Sequence, residues 1–381
     1  MDITEFLHLR GADLASVVAT VQAAVRLEAD DVLLAVGSVA EGLGNSKSDL
    51  DLLLITPRDP GALPARDELG LMAGRCLIDV RIMHASEVDQ LLGRLRAITT
   101  LPWDVTNAVK LTIDERTLLH RLLHGYPLVE ARGAQRTAVM PSAAELSRLK
   151  LQVARQEART VQVDLVGYRE TGDHRTLVFA AQHLLGQAVD ALTASYQLTH
   201  PVAKWRYRML DRLPADWELA LAVRASNLAA GQRYWCLHRA PEQPDDKPAL
   251  DHALRISAFA RAAFVSAENR LVKPAFPGHR LAAAPAAARA SGDPALPYLD
   301  FDVDFFLGER SATLGRLNEF GDTVELSPSG LAVALLCDGA TTVREAAVMV
   351  HGRDDAAAAS AVRDTIAHLA GAGFCLPAAG A

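Results

Sequence analysis

The first third of the chain alternates between a helical pattern and short apolar runs. From residue 13 to residue 27, apolar residues recur every three or four positions, which predicts a helix. Three apolar runs then predict buried strands: DDVLLAVGS, DLDLLLITP and CLIDVRIM. We therefore expect an α+β domain with a mixed sheet over residues 1–135.

The middle of the chain is helical throughout. Within residues 142–272, long segments keep their apolar residues on one helical face, as in ELSRLKLQVARQEARTVQVDLVGYR and TLVFAAQHLLGQAVDALTASY. These segments predict an α-helical bundle domain. Residues 273–297 consist largely of Pro, Ala, Gly and Ser, which is the composition of an extended linker. We expect few contacts to cross this boundary.

The last part of the chain returns to a mixed pattern. YLDFDVDFFLG and DTVELS predict strands, and three helical segments follow them. We therefore expect a small, winged-helix-like domain over residues 298–381.

Composition and charge narrow the possible partners. The chain has 381 residues, 50% hydrophobic and 22% charged, which suits a folded protein of two or three domains. Its net charge of −7 argues against a nucleic-acid partner, because such binding relies on clustered Lys and Arg. No apolar run is long enough for a membrane helix and the first residues lack a signal-peptide pattern, so we expect a cytoplasmic protein without a membrane partner. The four cysteines lack metal-ligand spacing and are expected to be reduced.

Three acidic side chains lie on the predicted strands. Asp49 and Asp51 are separated by one residue, and side chains two apart on a strand point to the same face. Carboxylates placed in this way can share two divalent ions, and Mg²⁺ prefers oxygen ligands. Asp79 lies in the apolar run LIDVRI, where an unpaired charge is costly, so it needs a compensating partner such as a metal ion or a proton. On a strand beside Asp51 it would complete a triad. The sequence predicts a magnesium site formed by these three residues.

A turn and a loop precede these carboxylates. Gly37 has no Cβ and lets the backbone approach phosphate oxygens, which the hydroxyl of Ser38 can also bind. The following loop adds Ser46 and Lys47 as phosphate-binding candidates.

The segment GSVAEGLGNSKSDLD, from Gly37 to Asp51, resembles the GSx10DxD signature of minimal and antibiotic-modifying nucleotidyltransferases of the polymerase-β superfamily. The resemblance implies a polymerase-β-type nucleotidyltransferase domain in residues 1–135. It further implies an NTP co-substrate, two aspartates that hold both metal ions, and a third, Asp79, that binds or activates the acceptor. The alternative is an ordinary Gly-Ser turn followed by solvated carboxylates.

A helical bundle also follows the catalytic domain in these families. Within HPVAKWRYRMLDRLP, Lys204 lies beside Trp205 and is a candidate for binding triphosphate, the alternative being a solvated helix start with the indole in the core. Arg169 and His174 have the R-x4-H spacing of HEPN ribonucleases, but the Gly and Asp between them favour a turn. Three glutamates are in the region of a general base and none stands out: Glu145, Glu157 and Glu170.

The segment DTVELSPSGLAVALLCDGATTVREAAVMVHG, with the later GAGFCL, resembles the PqqD-like family, the peptide-recognition module of ribosomal peptide biosynthesis. Such modules bind a leader peptide as a strand added to a sheet edge, opposite a helix. We expect the edge between Tyr298 and Leu326 and the helical wall near Ala361–Leu369. The alternative is a winged-helix unit that only dimerises or packs.

Together these features predict a magnesium-dependent nucleotidyltransferase that transfers NMP from an NTP to an acceptor and releases diphosphate. The expected acceptor is a ribosomally made precursor peptide recruited by the C-terminal domain. Two alternatives remain open. One is an aminoglycoside-like, small-molecule nucleotidyltransferase whose C-terminal module serves oligomerisation or regulation. The other is a toxin–antitoxin-like or peptide-binding regulatory protein.

Overall fold

The structure is a computed structural model that describes residues 1–59, 68–101, 111–129, 140–214, 230–277, 293–317, 321 and 323–376. Most of the predicted linker, residues 273–297, lies outside these ranges. The chain divides into two compact units. The first comprises Met1–Leu149 and Thr199–Trp205, and the second Lys150–Leu198 and Arg206–Ala381. Within the described ranges, no helix combines the length and apolar character needed to cross a bilayer.

A five-stranded mixed sheet forms the centre of the first unit. Its strands are β1 (Val32–Val36), β2 (Leu50–Thr56), β3 (Glu68–Ala73), β4 (Cys76–His84) and β5 (Tyr126–Val129). Their order in the sheet is β3-β4-β2-β1-β5. β2 and β4 run parallel, and the other neighbours are antiparallel. The helices are α1 (Ile3–Leu9), α2 (Leu14–Val25), α3 (Gly37–Ala40), α4 (Ala85–Thr100) and α5 (Ile113–His124).

The local sequence explains where these elements begin and what they bury. Asp13 starts α2 with a capping box, in which its side chain accepts a hydrogen bond from the backbone of Ser16. One face of α2 is buried in the same core as alternate residues of β1 and β2. All five residues of β1 are buried, which explains its uninterrupted apolar run. The predicted α+β class is confirmed, and the predicted helix and strands correspond to α2, β1, β2 and β4.

The second unit contains most of the long helices and the C-terminal strands. Its helices are α6 (Ala143–Thr171, which begins in the first unit), α7 (His174–Ser195), α8 (Arg206–Leu210), α9 (Ala230–His238), α10 (Asp246–Leu271), α11 (Pro328–Leu335), α12 (Val343–His351) and α13 (Ala356–Gly371). β7 (Val303–Leu307), β8 (Ala312–Arg316) and β9 (Val324–Leu326) form an antiparallel sheet. β6 (Tyr298–Leu299) pairs with β10 (Cys375–Leu376). The strands and three helices predicted for the C-terminal part are present.

Buried charges join the long helices to the C-terminal strands within this unit. Arg155 of α6 binds Glu268 of α10 through Nε at 2.8 Å and Asp304 of β7 through Nη2 at 2.8 Å. Arg159 donates a hydrogen bond through Nε to the other carboxylate oxygen of Asp304, at 3.0 Å. The hydrophobic core of the C-terminal part also includes Val265 of α10. These contacts differ from the expectation that few contacts cross the linker.

The free edge of β7 explains why those arginines are needed. Backbone carbonyls on an unpaired strand edge require donors when they are buried. Arg155 donates to the carbonyl of Phe305 at 2.8 Å, and Arg261 donates to the carbonyl of Val303 at 3.2 Å. Burial lowers the pKa of Arg261 to about 10, so this side chain stays charged at neutral pH. Two helices thus close one edge of the C-terminal sheet. The division of the chain into domains at residues 135, 142, 272 and 298 stays a prediction.

The buried cluster yields a stability prediction. Arg155→Met should lower the free energy of unfolding by about 3–5 kcal/mol, because it leaves Glu268 and Asp304 charged with a partner removed. Urea unfolding monitored by circular dichroism measures the change. The matched control is Arg353→Met, whose side chain is 63% exposed and lies 3.7 Å from Asp355; we expect a change within about 0.5 kcal/mol. Similar small losses in both variants would contradict this role for the buried cluster.

Candidate functional site

The parallel pair β2 and β4 brings the three predicted carboxylates together. Asp51 and Asp79 are directly opposite each other in the strand register. Asp49 lies one residue before β2, and its carboxylate is near enough to that of Asp79 to raise the pKa of Asp79. The placement of Asp79 beside Asp51 therefore agrees with the sequence prediction. Whether the three side chains hold metal ions stays a prediction.

Burial and the crowding of like charges both act on the carboxylates of this site. Burial raises the pKa of Asp51, the guanidinium of Arg121 lowers it, and the carboxylates of Asp49 and Asp79 raise it again. The pKa of Asp79 is also raised, by partial loss of hydration and by the adjacent carboxylate of Asp49. Buried and exposed residues alternate along this part of β4, and Asp79 is one of the exposed residues. It therefore does not lie in the apolar surroundings that the sequence suggests. A cation bound at this position would relieve the repulsion among the three groups.

Gly37 is required by the conformation of the turn and by the position of Asp51. The strand β1 ends at Val36, which pairs with Asp51, and Gly37 follows with φ of +72°, a region that L side chains rarely adopt. A Cβ built on Gly37 would overlap Oδ2 of Asp51. From the sequence, we expect this glycine to let phosphate oxygens approach the backbone. The structure adds a second reason, since only glycine leaves room for the carboxylate.

Arg121 is a site residue that the sequence analysis missed. It lies in the last turn of α5, and its Nη2 is 3.2 Å from Oδ1 of Asp51. Basic residues are common in the last turn of a helix, so the sequence carried no signal that set this one apart. Its contact fixes the orientation of a carboxylate that would otherwise face only like charges.

The loop between α3 and β2 contains the remaining phosphate-binding candidates. The carbonyl of Ser38 accepts hydrogen bonds from the amides of Leu43 and Gly44, each at 2.7 Å, and these close the loop. Ser46 and Lys47 are exposed. The backbone carbonyl of Ser46 accepts a hydrogen bond from Arg10 at 2.6 Å. The loop is thus held through its backbone, with the Lys47 side chain at the surface.

Lys204 belongs to the first compact unit and not to the helical part of the chain. It lies in a short 3₁₀ turn, Ala203–Trp205, and its Nζ is 5.0 Å from the centre of the Trp205 ring. The indole is half-buried, whereas Lys204 is exposed. Arg206, another cation of the same cluster, binds Asp190 through Nε at 3.0 Å and Nη2 at 2.6 Å within the second unit. The structure therefore gives Arg206 a local partner and leaves Lys204 as a candidate for phosphate.

The other sequence candidates have structural partners. Arg169 forms an ion pair with Asp300, and His174 is the first residue of α7, directly after the capping Asp173. A turn therefore separates the two residues of the R-x4-H pattern. Two of the three glutamates have local roles, since Glu145 bonds to Ser142 at the start of α6 and Glu157 accepts a hydrogen bond from Gln187.

The raised pKa of Asp79 gives a pH-dependent prediction. A carboxyl whose folded pKa lies above the ordinary 3.8 stabilises the fold at low pH, and this stabilisation is lost as pH rises through the folded pKa. In metal-free buffer at pH 7.5, Asp79→Asn should therefore raise the free energy of unfolding, by roughly 0.5 kcal/mol. The gain should disappear near pH 3.5. Urea unfolding at both pH values measures it.

The control for this prediction is Asp89→Asn on α4, where an exposed aspartate lies outside the site. We expect no change beyond about 0.5 kcal/mol at either pH. A loss of stability in Asp79→Asn at pH 7.5 would contradict mutual repulsion of the carboxylates.

Comparisons with known proteins give only weak structural similarity. No protein-family model matches the chain, and no curated protein matches it. Among solved structures, a nucleotidyltransferase-like protein from Exiguobacterium sibiricum 255-15 is similar with a TM-score of 0.33 and 16% identity, over 65% of this chain and 73% of that one. A similarity of this degree assigns no function, which has to be argued from the site itself.

Proposed function

We propose that this chain is a nucleotidyltransferase that joins the NMP part of an NTP to an acceptor and releases diphosphate. One observation carries the proposal. Asp51 and Asp79 face each other on adjacent parallel strands, with Asp49 beside them, and Gly37 of the GSx10DxD segment packs directly against the Asp51 carboxylate. The spacing in the sequence therefore corresponds to a physical cluster in the fold.

The donor set fits magnesium. Carboxylate oxygens are the ligands that this ion prefers. Loss of hydration and the neighbouring carboxylates raise the pKa values of Asp51 and Asp79, and a bound cation would offset both effects. Asp49 and Asp51 would hold the ions, which when bound neutralise the charge that develops on the phosphates. The three aspartates do not form a group whose donor atoms all lie within 4.8 Å of one another. Two-ion sites spread their ligands over ions ~3.5–4 Å apart, so complete convergence is not required.

The remaining residues have roles in binding and proton transfer. Asp79 is exposed and its pKa is raised, so its carboxylate can accept the proton of an acceptor hydroxyl as the oxygen attacks the α-phosphorus. The bond between the α-phosphorus and the bridging oxygen breaks, and diphosphate leaves. Arg121 orients Asp51. Ser38, Lys47 and Lys204 supply donors for the phosphates.

The acceptor in this proposal is a ribosomally made peptide recruited by the PqqD-like C-terminal part. Support comes from the edges of the sheet β7-β8-β9. The edge of β7 is covered by Arg155 and Arg261, which leaves β9 as the other edge. Residues of an antiparallel strand alternate in the direction of their backbone groups. Since the Val303 and Phe305 carbonyls face away from β8, the same alternation turns the amide and carbonyl of Glu325 away from β8 as well.

The chemistry is tested by mass spectrometry. The chain is incubated with Mg²⁺ and each NTP in turn, with precursor peptides encoded beside its gene and with aminoglycosides as candidate acceptors. The expected product carries the mass of one NMP on a peptide, whereas a labelled aminoglycoside would favour the small-molecule alternative.

Asp51→Asn should lower the rate of this transfer roughly a hundredfold or more, since several kcal/mol of charge stabilisation depend on the bound ions. Asp114→Asn, an exposed aspartate in the first turn of α5, is the matched control and should keep the rate of the unchanged chain. Full activity in both Asp49→Asn and Asp51→Asn would contradict the proposal.

Peptide recruitment is tested at β9 in the full-length chain. Glu325→Pro removes the outward-facing amide, so affinity for a precursor peptide should fall by about tenfold or more, while NTP binding stays unchanged. Glu325→Ala removes the side chain but keeps the amide, and it should bind the peptide as before. Calorimetry with both variants measures the difference. Equal affinity of Glu325→Pro and the unchanged chain would exclude strand addition at this edge.

A further inference from the structure

A second cluster of metal-binding side chains lies in the first unit, apart from the three aspartates. Glu41 follows the short helix α3, His120 lies in α5, and His200 lies in the segment Thr199–Trp205. The side chains are only 4–6% exposed. In the described part of the chain, this is the one group of three His, Cys, Asp or Glu side chains whose ligand atoms all lie within 4.8 Å of one another.

The ligand atoms of the three side chains lie close together. Nε2 of His120 is 2.9 Å from Oε2 of Glu41, and Nε2 of His200 is 3.8 Å from Oε1 of the same carboxylate. The imidazole rings of the two histidines have their centres 4.5 Å apart. Two imidazole nitrogens and one carboxylate, drawn from three separate segments, thus converge on one buried point.

We propose that Glu41, His120 and His200 form a binding site for a divalent transition-metal ion, best suited to zinc. The choice of ion follows from the donor set. Imidazole suits zinc and its neighbours in the first transition row, whereas magnesium prefers oxygen ligands and retains several waters. A buried site with two histidines therefore selects a different ion from the carboxylates of Asp49, Asp51 and Asp79.

The groups around His120 support this assignment. Metal-binding histidines usually donate the proton of their other ring nitrogen to a nearby oxygen, which fixes the tautomer. Nδ1 of His120 lies 2.9 Å from the hydroxyl oxygen of Thr199, and Nε2 of His124 lies 3.1 Å from the same oxygen. In the metal-bound form, His120 would carry its ring proton on Nδ1, directed at Thr199, and would bind the cation through Nε2, which faces Oε2 of Glu41.

A hydrogen bond at His200 competes with metal binding. Its Nδ1 accepts a hydrogen bond from the amide of Val202 at 3.2 Å, and this arrangement places the ring proton on Nε2. Metal binding through Nε2 would move the proton to Nδ1 and break that hydrogen bond. The loss of one neutral hydrogen bond weakens binding by about tenfold at most, which is small beside the effect of adding an imidazole ligand.

The three ligands of this ion lie in segments that also contain residues of the candidate nucleotide site. Glu41 lies four residues after Gly37, His120 precedes Arg121, and His200 lies four residues before Lys204. An ion here would fix the turn, the Asp51-binding arginine and the phosphate-binding lysine relative to one another. This effect on the nucleotide site rests on the proposed function, whereas the binding of a metal ion by Glu41, His120 and His200 does not.

The test measures zinc in the full-length chain. Protein dialysed with zinc in the presence of excess Mg²⁺, which saturates the carboxylate site, should retain one zinc ion per chain by elemental analysis. Zinc should also raise the melting temperature. Bound Co²⁺ should show no thiolate charge-transfer band, which excludes the cysteines as ligands. Glu41→Gln, His120→Gln and His200→Gln should each weaken zinc binding by roughly a hundredfold.

The matched control is His183→Gln, because the side chain of His183 is 53% exposed and lies in the second unit. It should bind zinc as the unchanged chain does, and so should Asp51→Asn, which separates this site from the proposed chemistry. Glu41→Gln is nearly isosteric and carries the test if a histidine variant fails to fold. The proposal is overturned if the unchanged chain retains no zinc, or if Glu41→Gln and the folded histidine variants retain it fully.

Discussion

The parallel pairing of β2 and β4 forces Asp51 and Asp79 to face each other, and the rest of the candidate site accommodates that constraint. Two carboxylates held side by side repel, and Asp49 adds a third negative charge. Strand register leaves no freedom to separate them, since slipping by one residue would turn every buried side chain of β2 to the other face. The fold therefore maintains an arrangement that is unfavourable without a cation, as is usual where stability has been exchanged for function.

Two neighbouring residues lower the energetic cost of this arrangement. Gly37 leaves the space that the Asp51 carboxylate occupies, and Arg121 supplies the nearest positive charge. Both residues lie close in sequence to members of the buried group Glu41, His120 and His200. Through that group, the turn after β1, the helix α5 and the segment Thr199–Trp205 are connected within one compact unit. The candidate phosphate and metal sites are therefore coupled through shared secondary structure.

The sequence predicted those parts of the molecule that depend on local pattern. Buried runs identified β1, β2 and β4, and the expected position of Asp79 beside Asp51 agrees with the register of β2 and β4. The exposed edge strand β3 has no such run, because its residues alternate between exposed and half-buried positions, and it was missed.

Contacts between residues distant in sequence could not be predicted in the same way. Arg121 reaches Asp51 across 70 positions, and His120 meets Glu41 across 79, with no periodicity to relate them. The linker composition suggested separable parts, yet Arg155 contacts β7 across 150 positions because the carbonyls of that strand need donors. These contacts form because buried polar groups need hydrogen-bond partners. The composition of a local segment does not show which distant residue will supply the partner.

The central claim is that the three aspartates hold divalent cations, and binding of Mn²⁺ followed by electron paramagnetic resonance tests it most directly. Mn²⁺ takes the same oxygen ligands as Mg²⁺, and its free signal falls as the ion binds. The account predicts binding that excess Mg²⁺ displaces and that both Asp49→Asn and Asp51→Asn abolish, while Asp89→Asn keeps it. Mn²⁺ binding of equal strength in the unchanged chain and in both site variants would contradict the account.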